Sequence, residues 1–81
     1  MNKFQERMIS NYKRMLDFPV GKTENGDEIL DEELYHLWVE AFRNFNKAEQ
    51  YEIIQELVKL DQIFADLLFI HFLYPRFLTL L

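Results

Sequence analysis

The chain is predicted to be all-α: a bundle-like domain of three helices, or four if the third is divided, with a short turn or minimal β-hairpin between the first two. Three observations predict this. Apolar residues recur at the helical period through most of the chain. Asn2, Asp31 and Asn46 each stand before such a run, where a short polar side chain can accept from the first free backbone N–H groups. Only two glycines and two prolines occur among the 81 residues, which leaves few places to turn and favours long elements.

The length suits a single domain, residues 1–81, near the lower limit of what folds unaided. With no cysteine, neither disulfides nor thiolate metal sites can reinforce it, so stability must come from apolar packing. Eight phenylalanines supply that material.

The first helix is expected over about 3–16. Phe4, Met8, Tyr12 and Met15/Leu16 line one face, and Asn2 with Gln5 has capping-box spacing. Phe18 precedes Pro19 and is pushed out of helical geometry, and Gly21 permits a turn. Residues 17–30 form the connector. An ordered loop is expected there, with pairing of 20–23 and 27–30 about an Asn25-Gly26 type I′ turn as the alternative, because the arms are poor in β-formers.

Asp31 then caps a helix over about 32–45. Glu32 and Glu33 sit at the positive end of its dipole, and Leu30 is placed to pack on Tyr35. Leu34, Leu37, Trp38, Ala41, Phe42 and Phe45 form a wide apolar stripe. Asn46 with Glu49 makes a second capping box at a helix–helix junction. Beyond it, Ile53, Leu57, Leu60, Phe64, Leu67, His71 and Tyr74 keep one seam at a 3.5-residue period, flanked by Ile54, Val58, Ala65, Leu68 and Phe72. This predicts one long helix over about 47–74. A break near Asp61, which could cap a separate helix, is the alternative. An apolar tail, 75–81, follows.

The net charge of −5 is unevenly spread. Residues 1–16 set Lys3, Arg7, Lys13 and Arg14 against Glu6, whereas 17–42 set Lys22 against eight acids. Such a balance argues against sequence-independent nucleic-acid binding, which needs phosphate neutralisation. The N-terminus has no continuous apolar stretch of the kind that drives export, and a cytoplasmic location is expected.

Chemical motifs are weak. In the acidic stretch 22–33, aligning Ile29 and Glu33 with the last calcium-loop positions puts Lys22 at the first ligand and the glycine one place early. A turn followed by a dipole-matched helix start explains the residues better. Glu33 and His36 have the Glu-x-x-His spacing of carboxylate-bridged metal bundles, but no second copy exists. His71 lies in the apolar seam, where a neutral, hydrogen-bonded imidazole is favoured over a pH-sensitive contact. Ser10 is the only serine and has no evident His/Asp partners, and no glycine-rich phosphate loop is present. No cofactor, metal or catalytic residue is therefore assigned, and the chain is not expected to be an enzyme.

The segment 63–81 has the length of a membrane span but contains Asp66, His71, Pro75 and Arg76, which disfavour insertion. Its apolar surface instead predicts a protein contact formed by Phe64, Leu67, Leu68, Phe69, Ile70, Phe72, Leu73, Tyr74, Phe77 and Leu78. The expected function is a small interaction or regulatory module that self-associates, most simply as a homodimer, or docks on a protein partner. Metal binding by the acidic loop or helix face, and interfacial membrane attachment, are the alternatives.

Overall fold

Side-chain caps set the boundaries of the helices in the computed structural model, which describes residues 1–74. Helix α1 spans Lys3–Asp17. The Asn2 side chain accepts from the Gln5 N–H while the Gln5 side chain accepts from the Asn2 N–H, so two otherwise orphaned donors are satisfied reciprocally. Helix α2, Glu32–Arg43, starts at Asp31, whose carboxylate accepts from the N–H groups of Glu33 and Leu34. Helix α3, Lys47–Leu57, opens with the Asn46/Glu49 capping box.

The connector forms the minimal hairpin rather than an unpaired loop. Strands β1 (Gly21–Lys22) and β2 (Glu28–Ile29) are antiparallel, Gly21 opposite Ile29 and Lys22 opposite Glu28. Its turn is not the expected two-residue type. Gly26 has φ +87° and Asn25 does not have a positive φ, so only one of the two residues is left-handed. Thr23 closes the turn instead: its carbonyl accepts from Gly26 N–H at 3.0 Å, its N–H donates to Asp27 O at 2.8 Å, and its hydroxyl accepts from Asp27 N–H. This is a three-residue loop with glycine at the left-handed position, the pattern of a G1 bulge. Both strands are exposed, as the weak β-formers imply.

The single helix expected over 47–74 is divided. The last turn of α3 tightens, with Lys59 N–H donating to Glu56 O and Leu60 N–H to Leu57 O, and the chain leaves helical geometry at Asp61, with φ −158° and ψ 89°. Helix α4, Gln62–Leu68, restarts there and runs on through a π-helical turn, Phe69–Leu73. No glycine or proline causes the break. Asp61 causes it by doing two things a helical residue could not do together. One carboxylate oxygen caps Phe64 N–H at 3.0 Å, and the other accepts the buried Tyr12 hydroxyl at 2.8 Å, tying α4 to α1. Burial, and then the hydrogen bond to Asp61, raise the Tyr12 hydroxyl pKa far above its ordinary value, so it stays a donor.

Helix α1 packs on α2 and α3, and α4 with its π turn packs on α3. An aromatic cluster fills the space between them. Phe64 stacks on Tyr12 with ring centroids 4.6 Å apart and meets Trp38 edge-on at 5.4 Å. Trp38 in turn stacks on Phe42, and Phe42 meets Phe72. Met8, Met15, Ile53, Ile54, Leu57, Ala65, Leu68 and Leu73 complete the core. Two buried amides hold the layers in register: Gln5 donates to Glu49 O, and Gln50 to Phe42 O.

The break and the π turn re-phase the C-terminal seam. Ile53, Leu57 and Phe64 are buried as the 3.5-residue pattern requires, but Leu67, His71 and Tyr74 turn outward. Ala65, Leu68 and Leu73 take the inner positions instead, the last two separated by five residues because the π turn adds one per turn. His71 is thus a surface residue beside the Phe72 ring and not a member of a buried seam.

Candidate functional site

The sequence-predicted contact residues fall into three groups. Phe64, Leu68 and Leu73 belong to the chain's own core, which accounts for their apolar character without a partner. Phe69 and Phe72 are half-buried against it. Leu67, Ile70 and Tyr74 face solvent together with Ile63. Phe77 and Leu78 lie outside the described residues.

The outward group forms a ridge. Ile63, Leu67, Ile70 and Tyr74 recur every four, three and four residues along α4 and its π turn, and they are 77%, 56%, 54% and 45% exposed. No charged residue interrupts the stripe; Asp66 and His71 lie beside it. Lone exposed leucines are ordinary on a protein surface, but a continuous apolar row along a helix marks a contact. Behind the ridge, the end of the π turn is anchored. Lys47 Nζ donates to Phe72 O at 3.0 Å, and the Arg43 guanidinium lies over the Phe72 ring. An ammonium at a helical carbonyl and a guanidinium over an aromatic face are both electrostatically matched, so these residues read as structural.

A second apolar surface was not expected from the sequence. Between α1 and α2 runs a groove of about 550 Å³ whose floor is Met8, Met15 and Trp38 and whose walls include Phe18, Leu34, Leu37 and Ala41. A depression of about 500 Å³ shares Met8, Asn11 and Ala41 with it and carries it on to Phe4 and Phe45. Leu34 and Leu37, members of the wide apolar stripe of α2, are 50% and 65% exposed. The width of that stripe was the available signal. Trp38 faces α1 and α4 and Phe42 the π turn, so 34, 37 and 41, roughly 40–100° further round the helix from Trp38, face away from them.

The polar candidates do not assemble. Glu32 and His36 approach at 3.6 Å on a solvated face, and Asp31 is engaged as a helix cap. Among the described residues, no group of three or more His, Asp or Glu is placed to hold a metal ion. Nor is any helix among them long and apolar enough to cross a membrane.

No protein-family model, curated protein or solved structure matches the chain.

Proposed function

We propose that the chain is a small non-enzymatic interaction module that self-associates through the α4 ridge. The four solvent-facing apolar residues of that ridge, aligned along one helix with no interrupting charge, carry the reading.

The magnitudes are consistent with reversible assembly. Full burial of an aliphatic or aromatic side chain contributes about 1.5–3 kcal/mol. Association costs on the order of 4–15 kcal/mol in lost freedom and side-chain ordering. A contact that buries the half-exposed ridge and a comparable apolar surface gains an amount of the same order as this cost, so weak, concentration-dependent association is expected.

Leu67→Asp is expected to convert the native assembly into a monomer whose circular dichroism spectrum is essentially unchanged, because position 67 is exposed and an aspartate there costs little in the isolated fold. Light scattering coupled to size exclusion reads this directly. A native chain that is already monomeric at high micromolar concentration would refute the reading, as would a Leu67→Asp variant of undiminished mass.

A further inference from the structure

We infer that the α4 ridge of one copy docks into the α1/α2 groove of another, so that assembly is head-to-tail rather than ridge against ridge. This rests on the self-association proposed above and names the surface that receives the ridge.

Four observations converge on it. The first is that, among the described residues, a chain's own ridge cannot reach its groove. Trp38 forms part of the groove floor and contacts Phe64 on its inner side, so α4 is held beyond the floor, across the core. Phe64 is fixed there by its stack on Tyr12 and by the Asp61 cap. A ridge seated in the groove therefore belongs to another molecule.

The second is size. Ile63 to Tyr74 covers eleven residue steps and so does Leu34 to Phe45. At the helical rise the ridge is about 16 Å long and the helical wall of the groove, Leu34 to Arg43, about 13 Å, with Phe45 just past its end. A groove of about 550 Å³ walled by Leu34, Leu37 and Phe18 is shaped to take one row of aliphatic side chains from a helix, which is the helix-in-groove mode of recognition.

The third is charge. Asp66 flanks the ridge, and the α1 side of the groove and its continuation carries Arg14 and Arg7. Among the described residues, no ion pair engages any of the three. The linings also hold Asp31 and Glu49, but both are engaged as helix-cap acceptors, so a ridge entering the groove brings Asp66 towards two arginines that no ion pair holds, Arg7 lying over the Phe4 ring.

The fourth is economy of surface. A symmetric ridge–ridge dimer leaves Phe18, Leu34 and Leu37 of both copies in water. One ridge–groove joint covers both kinds of face, and repetition of the joint does so in every internal copy. Such a heterologous joint closes into a ring if its rotation permits and otherwise grows as a chain.

Two exposed substitutions test this, Leu67→Asp on the ridge and Leu37→Asp in the groove, with sedimentation velocity as the readout. Each variant alone is expected to be a folded monomer. Mixed in equal amounts they should form a 1:1 dimer and nothing larger, because one intact ridge and one intact groove remain and make a single joint. Ala41→Arg fills the groove from another exposed helical position and should behave as Leu37→Asp does.

If both groove variants keep the native mass while Leu67→Asp is monomeric, the ridge pairs with itself: the head-to-tail inference falls and self-association stands. If each variant is monomeric but the mixture stays monomeric, the inference also falls. A monomeric native chain overturns both readings at once.

Discussion

Trp38→Ala is expected to remove about 3–5 kcal/mol of stability, the cost typical of deleting a buried aromatic ring. Small domains have about 5–15 kcal/mol in total, so most of the fold's margin would go with it. The size of the effect follows from where the ring sits. It contacts Tyr12, Phe42 and Phe64, and so joins α1, α2 and α4 in one cluster. Its indole N–H donates to Met8 O at 2.8 Å, a bond across α1 and α2 that alanine cannot replace. Urea unfolding followed by circular dichroism should show a large fall in midpoint, or a chain unfolded without denaturant. A loss below about 1 kcal/mol would mean the cluster is not the organising core.

Asp61→Ala should cost about 2–4 kcal/mol, more than a helix cap alone. Losing an N-cap typically costs about 1 kcal/mol, and a hydrogen bond to a charged group contributes about 1.5–3 kcal/mol. Both end together here, because one carboxylate serves Phe64 N–H and the Tyr12 hydroxyl. The substitution also strands the buried Tyr12 hydroxyl without its acceptor and removes the residue that interrupts the helix. Helical content should therefore hold or rise while the urea midpoint falls, a combination that simple fraying of α4 would not produce. Tyr12→Phe, which deletes the donor and leaves the cap, should lose less.

The same bond sets an alkaline limit. Burial and the hydrogen bond to Asp61 raise the Tyr12 pKa in the folded chain above its unfolded value. The contribution to stability is thus complete below about pH 10 and declines as pH rises past it.

Local signals in the sequence foretold local structure. Asn2, Asp31 and Asn46 are the caps they were expected to be, because a cap needs only its own side chain and the next three N–H groups. Met8, Tyr12 and Met15 are buried as their spacing implies. Phe4, from the same stripe, is 59% exposed, because at that end α1 meets the groove rather than the core.

The division at Asp61 was less legible for a physical reason. Val58, Lys59 and Leu60 are all compatible with a helix, and the 53/57/60/64 spacing runs straight through them. What decides the matter is Tyr12, 49 residues away in sequence, whose hydroxyl draws the Asp61 carboxylate inward. Buried Gln5 escaped notice similarly, since a polar residue on an inner face is tolerated only where distant partners, here Glu49 O, satisfy its amide.

The exposed apolar face of 63–74 was legible as a region but not by residue. Composition marks 63–74 as rich in apolar side chains, and the helical phase, set by the break and the π turn, sorts them into core and ridge. The groove depends on how α1 and α2 lie together, which neither helix's pattern encodes alone.

Sedimentation equilibrium of the native chain across a wide concentration range tests the central claim most directly. The ridge and groove predict an average mass that rises with concentration above the 9.9 kDa protomer. A mass fixed at that of one protomer up to the solubility limit would contradict it.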